Sequence, residues 1–161
     1  MDESILQLAE YPNAFGKMFK VTEEDIDGFG HVNNAVYLKW LDATVWAHTR
    51  YVGLDEHTCQ SLNRGMAVVR HELDYISSAY LDDEIAVFNW LSANDGKLRA
   101  SRTFQVVRVK DKKTLLRART DYICTDLSTG RPKRMPQQFA ESYQITLNSE
   151  ATSPKAQAIP A

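Results

Sequence analysis

The feature that most constrains this chain is one helical pattern followed by nothing but strand patterns. Residues 25–50 read DIDGFGHVNNAVYLKWLDATVWAHTR. From Val36 onward, Val36, Tyr37, Trp40, Leu41, Thr44, Val45 and His48 recur at the i, i+3, i+4 spacing of one helix face. Leu38, Ala43, Trp46 and Ala47 lie off that stripe, so few positions are polar. A helix that is apolar nearly all round is expected to be buried. Asn33 can cap its start by accepting from an amide of the first turn. Gly53 can end it in a left-handed conformation, with Arg50 near the negative end of the dipole. The helix therefore spans about eighteen residues, roughly 27 Å. Its charges at Lys39, Asp42 and Arg50 argue against a membrane span.

One strand pattern precedes the helix, at residues 15–22, where Phe15, Phe19 and Val21 share one parity. After it, residues 54–65 read as a loop with a helical turn, and four strand runs follow with no further helix. These are residues 66–76, 84–93, 98–109 and 115–125. Asn94-Asp95-Gly96 marks a hairpin. Phe104 and Val106 alternate on one parity and Val107 and Val109 on the other, which predicts a bulge or a strand buried on both faces. Consecutive strands without intervening helices predict an antiparallel sheet with the helix on one face, an α+β fold. Residues 1–14 form a short amphipathic lead-in. Residues 131–147 keep apolar character and add a short final element. One domain over residues 1–147 is expected, with a disordered tail at 148–161, where the sequence turns small, polar and proline-containing.

Composition excludes some function classes. With 161 residues and a formal charge of −2, nothing pulls the chain toward nucleic acid or an anionic membrane surface. Cys59 and Cys124 stand alone and read as reduced, partly buried thiols of a cytoplasmic protein. No basic, apolar export signal opens the sequence. Asp25, Asp27 and Gly30 suggest a calcium loop, but Phe29 and Val36 occupy positions that such a loop gives to oxygen ligands. No metal or cofactor is expected.

What remains is a carboxylate, Asp25 or Asp27, just before the N-terminus of a buried helix. That terminus presents free amides and about half a positive charge, suited to a developing oxyanion. A carboxylate beside it can attack a carbonyl or deprotonate water. On pattern alone, ordinary capping and turn formation is the favoured reading of the same residues.

Residues 27–42, DGFGHVNNAVYLKWLD, resemble the D-x-x-G-H-V-N-N-x-x-Y-x-x-W-x-E/D signature of hotdog-fold thioesterases of the 4-hydroxybenzoyl-CoA type. Residues 74–84, DYISSAYLDDE, and the T-G-R-P turn at 129–132 are similar to further segments of that family. Ser78 and Asp82 depart from its usual proline and glycine. The resemblance implies a hotdog fold, a curved antiparallel sheet around one helix, and hydrolysis of an acyl-CoA to acid and CoA. It implies Asp27 as catalytic carboxylate, the backbone amide of Asn34 as oxyanion donor, His31 and Asn33 as shapers of the loop, and a structural Asp25. It also implies a homo-oligomer, a dimer or homotetramer, with sites between subunits. Cations for the CoA phosphates are sought in Arg131, Lys133 and Arg134 after the last strand, and in Lys97, Arg99 and Arg102 at the hairpin. Tyr37, Trp40 and Met66 can line an acyl pocket or simply pack the core. The alternatives are a hotdog hydratase or dehydratase acting on acyl thioesters, and a module that binds acyl thioesters without turnover.

Overall fold

A computed structural model describes residues 1–144 of the chain. Its elements are α1 (Glu3–Leu6), β1 (Phe15–Lys20), α2 (Asn34–Tyr51), α3 (Glu56–Leu62), β2 (Arg64–Tyr75), β3 (Glu84–Asn94), β4 (Arg99–Arg108), β5 (Lys113–Asp126) and α4 (Gln137–Ser142). The strand, the long helix and the four following strands stand in the expected order. α4 supplies the short final element expected within 131–147. Residues 145–147 and the tail expected to be disordered lie outside the described residues.

The ends of α2 follow from two side chains. Asn33 Oδ1 accepts from the Ala35 amide at 2.9 Å, satisfying one of the helix's orphan donors. At the far end Gly53 takes φ +84°, costly for any residue with a Cβ, and its amide closes on Arg50 O.

The five strands form one sheet in the order β1-β3-β4-β5-β2, with every neighbouring pair antiparallel. This is the α+β hotdog arrangement. The register shifts between Val106 and Val107, where a bulge was expected, and again at Val68/Arg70 and Leu91/Ala93. Such irregularities sharpen local twist and bend a sheet around what it covers.

β3 shows how the core is divided. Ile85 and Val87 face α2 and join Val36, Tyr37, Trp40 and Leu41 in one cluster. Ala86, Phe88 and Trp90 face the other way and pack against Ile5, Leu8 and Tyr11 of the lead-in. Two covered faces explain why this strand reads as a continuous apolar run rather than an alternating one. Phe88 is wholly buried, which stabilises the fold by about 1.5–3 kcal/mol. The lead-in is tied down further by the Glu10 amide donating to Gln105 Oε1 at 2.9 Å.

The helix itself differs from expectation. Val36, Tyr37, Trp40, Leu41 and Thr44 are buried, but Trp46 is 37% exposed and Leu38, Ala43 and Ala47 are only partly covered. One sheet covers one side of a helix, so the remaining apolar side is left partly uncovered by the described residues. The edge strand β2 is similar, with Val68, Val69 and Tyr75 about half exposed. Among the described residues no helix is long and apolar enough to cross a membrane.

Candidate active site

The loop before α2 is built from its own side chains. Asp25 accepts from the Thr22 amide at 2.8 Å and the Thr22 hydroxyl at 3.1 Å, closing the first bend. Its role is structural. The chain then doubles back: Ile26 bridges Val32, and the Asp27 amide donates to His31 O at 3.0 Å. Gly30 sits at the tip with φ +82°. The Asn33 amide returns to Asp25 O at 2.8 Å, so Asp27 is delivered beside the start of the helix.

Asp27 Oδ1 accepts from the Phe29 amide at 2.8 Å, which leaves the carboxylate's other oxygen free toward solvent; the side chain is 22% exposed. His31 Nδ1 lies 3.9 Å from Asp27 Oδ1, too far for a hydrogen bond, and it is buried without a partner among the described residues. Phe29, 87% exposed, stacks over the His31 ring. Asn33 is committed to capping. The amide of Asn34 opens α2 and has no acceptor among the described residues, while Asn34 O accepts from the Tyr75 hydroxyl at 2.8 Å. Asp27, His31, Asn33 and Asn34 are thus brought together. The loop carries a partly buried carboxylate into a helix whose first amide has no acceptor among the described residues.

A second loop, residues 76–83, holds the first in place, and its anchors were not legible in the sequence. Ala79 O accepts from the Val32 amide at 2.9 Å, and the Ala79 amide donates to the Tyr37 hydroxyl at 2.9 Å. Asp82, where the family often has glycine, takes φ +64°, a conformation aspartate tolerates better than most residues. Asp83 is 3% exposed and accepts from the Tyr80 amide, Lys110 Nζ and, at 3.5 Å, Arg108 Nη1. Arg108 also donates to Ser78 O at 3.0 Å and makes a two-pronged pair with Asp111. Only the sheet register brings these charges together, so no local signal marked them.

The cations lie elsewhere. Met135 N donates to Lys97 O at 2.7 Å, which joins the Asn94–Leu98 turn to the segment after β5, so Lys97, Arg99, Arg131, Lys133 and Arg134 share one end of the sheet. Lys133 is paired with Asp126 at 3.0 Å, an interaction that holds the Asp126 carboxyl down at about 2. Arg131 is exposed. This end is not the Asp27 end. Arg64 opens β2 beside Arg134 O, whereas Tyr75 closes β2 beside Asn34. With a rise of about 3.3 Å per residue the two ends of β2 lie roughly 35 Å apart. A single chain therefore does not place the Arg131 group at its own Asp27.

Arg102 needs a clearer correction. It is 3% exposed and points under α2, not out with the hairpin cations. It shares the inward parity of Phe104 and Val106 on β4, and that two-residue repeat was the signal that could have found it. There it lines a cavity of about 360 Å³ under the C-terminal half of α2, with Trp46, Met66, Ala100, Tyr122 and Tyr143. Met66 is thus a pocket residue, whereas Tyr37 and Trp40 are core packing. Cys59 and Cys124 are free and buried, and burial raises both thiols.

Residues 21–142 match the family model described as the thioesterase-like superfamily. No curated protein matches the sequence. Among solved structures, a 1,4-dihydroxy-2-naphthoyl-CoA thioesterase from Synechocystis aligns with a TM-score of 0.73 at 18% identity, over 81% of this chain and 96% of its own. A Staphylococcus aureus protein solved in complex with CoA aligns at TM-score 0.75 and 20% identity, over 81% of each chain. A probable thioesterase from Escherichia coli aligns at TM-score 0.69 and 20% identity, over 81% of this chain and 99% of its own. At these identities the likeness establishes the fold.

Proposed function

The chain belongs to the thioesterase-like superfamily, and from that premise we propose that it hydrolyses acyl-CoA thioesters to free acid and CoA. The observation that carries the reading is the Asp27 carboxylate, fixed by the Phe29 amide in the loop that leads into α2, whose first amide, that of Asn34, has no acceptor among the described residues. The thioester carbonyl oxygen takes the Asn34 amide, where the helix dipole favours developing negative charge. Asp27 then either attacks the carbonyl carbon, giving an acyl anhydride that water hydrolyses to the acid, or draws a proton from the water that attacks; in both cases the carbon–sulfur bond breaks and the CoA thiolate leaves and takes up a proton. The D-x-x-G-H motif supports the aspartate-using, 4-hydroxybenzoyl-CoA type. A panel of acyl-CoA thioesters with free-thiol detection tests the activity; no thiol release from any of them overturns it. No observation favours the hydratase or binding-module alternatives.

The working unit is an oligomer. The uncovered side of α2 and the half-exposed apolar residues of β2 call for a partner surface, and an open sheet edge invites pairing. If two copies meet with their β2 edges antiparallel, the Arg64 end of one faces the Tyr75 end of the other. Light scattering is therefore expected to give at least twice the 18.3 kDa chain mass; a stable monomer with full activity would count against the site as described.

Such pairing also gives the Arg131 group a role, serving the Asp27 of a second copy. Arg131→Ala is then expected to raise KM more than it lowers kcat, with the larger effect at low salt. A mixed oligomer of Asp27→Asn and Arg131→Ala chains separates the possibilities. If sites are shared, some sites retain both residues and show the wild-type KM. If each chain serves itself, the only active sites carry the raised KM.

A further inference from the structure

The interior feature that the hydrolytic site leaves unexplained is Arg102. Its Nη1 donates to Asn89 Oδ1 at 2.6 Å and to His48 Nδ1 at 2.7 Å. Both acceptors are neutral. Burial, reinforced by Arg102 itself, pushes His48 down to about 4, so near neutral pH the ring accepts rather than competes as a second cation. Burying a guanidinium without an anion costs several kcal/mol, and the usual remedy is a carboxylate. Among the described residues none is at hand: no ion pair includes Arg102, Glu56 is taken by Arg50, and Asp42 stands exposed at the cavity rim.

The cavity beside Arg102 has the complementary character. Val45, Trp46, Met66, Leu91 and Ala100 make its walls apolar. Tyr122 and Tyr143 add hydroxyls near the guanidinium; burial pushes Tyr122 up to about 12, so it remains a donor at neutral pH. Nη1 is taken by Asn89 and His48, and the guanidinium lies over the Tyr143 ring at 5.4 Å; a carboxylate that meets its remaining nitrogens makes two parallel hydrogen bonds. A volume of about 360 Å³ suits a small apolar body.

We propose that this cavity binds an apolar ligand through a carboxylate, with Arg102 as the group that reads it. Two sources share that chemistry: a free carboxylic acid with an apolar body, and an acyl-CoA whose acyl chain carries a distal carboxylate. The second rests on the hydrolytic reading given above and on the Asp27 of a second copy, because about 21 Å of helix separates Asn34 from His48 within one chain, beyond the reach of an eight-carbon acyl group; the first rests on neither.

The test begins with calorimetric titration of octanoate and its neutral counterpart octanamide into the wild-type chain. Octanoate is expected to bind roughly ten- to a hundredfold more tightly, the worth of hydrogen bonds to a charged group, and Arg102→Gln should abolish the difference. Suberyl-CoA and octanoyl-CoA are then compared as substrates. A lower KM for suberyl-CoA that vanishes in Arg102→Gln identifies the distal carboxylate as the ligand. Should Arg102→Gln fail to fold, Ala100→Leu, which narrows the cavity and keeps the arginine, must weaken octanoate binding instead. Equal binding of octanoate and octanamide, together with equal use of the two thioesters, overturns the proposal. Selective octanoate binding without thiol release from any acyl-CoA of the panel upholds the cavity and sinks the hydrolytic reading.

Discussion

Asp27→Asn is expected to lose on the order of 10²–10⁴-fold in kcat if the carboxylate serves as a general base, while the melting temperature barely moves. The structure makes this a clean substitution. The contact that fixes the side chain is an oxygen accepting from the Phe29 amide, and the asparagine oxygen can keep it. The bridge between Ile26 and Val32, the Asp27–His31 backbone bond and the Asn33 cap do not involve the carboxylate charge. Only the nucleophilic or basic charge disappears. Asp25→Asn made alongside should keep much of its activity, because among the described residues the Asp25 carboxylate accepts only from Thr22. A folded Asp27→Asn chain with near-normal turnover would remove Asp27 from the mechanism. If losses of activity tracked losses of stability in both variants, the loop would be structural and nothing more.

The largest effect on stability is expected at Asp83. Asp83→Ala strips the acceptor from the Tyr80 amide, Lys110 and Arg108 and leaves the Arg108 guanidinium, whose side chain is 10% exposed, with one anion fewer. Breaking a buried pair costs about 3–5 kcal/mol. The low end applies, since Arg108 keeps Asp111 and Lys110 stands in solvent. About 3 kcal/mol corresponds to a fall of roughly 6–12 °C in Tm for a chain of this size. Activity should fall with it, because the 76–83 loop carries the Ala79 carbonyl that holds Val32 beside the Asp27 bend. The effect of pH has a definite sign. Burial pulls the Asp83 carboxyl upward, but the donors from Lys110, Tyr80 and Arg108 together outweigh it and leave it lowered from 3.8. The stabilisation is therefore present above that value and is lost as pH falls below it. Asp83→Ala should lose less stability than the wild type over the same interval in urea titrations. An unchanged midpoint in the variant would show that the buried carboxylate holds nothing in place.

Much of this was legible because it is local. Asn33 and Gly53 bound α2 through contacts within a turn, and the helix begins and ends where those residues require. The sequence of strand, helix and four strands follows from periodicity, and the bulge at Val106 from a parity change within one run. The Asp27 bend is likewise made by residues at 22–33 and sits where its motif predicts.

Other features depend on which strands become neighbours, and no window of sequence contains that. Charge alone put Arg102 with the hairpin cations; the sheet's pleat turns it inward, where a helix covers it. Asp83, Arg108 and Lys110 meet because β3 pairs with β4 in one register, and a shift of one residue would send the arginine to the opposite face. The Arg131 group and Asp27 are separated because β2 runs from one to the other along β5. The exposed side of α2 has the same origin: its apolar residues are written in the sequence, but which of them are covered depends on how far one sheet reaches. Local hydrogen bonding and periodicity set the elements and the Asp27 bend. Strand register, a long-range property, decides which charges are buried, which meet, and which stay apart.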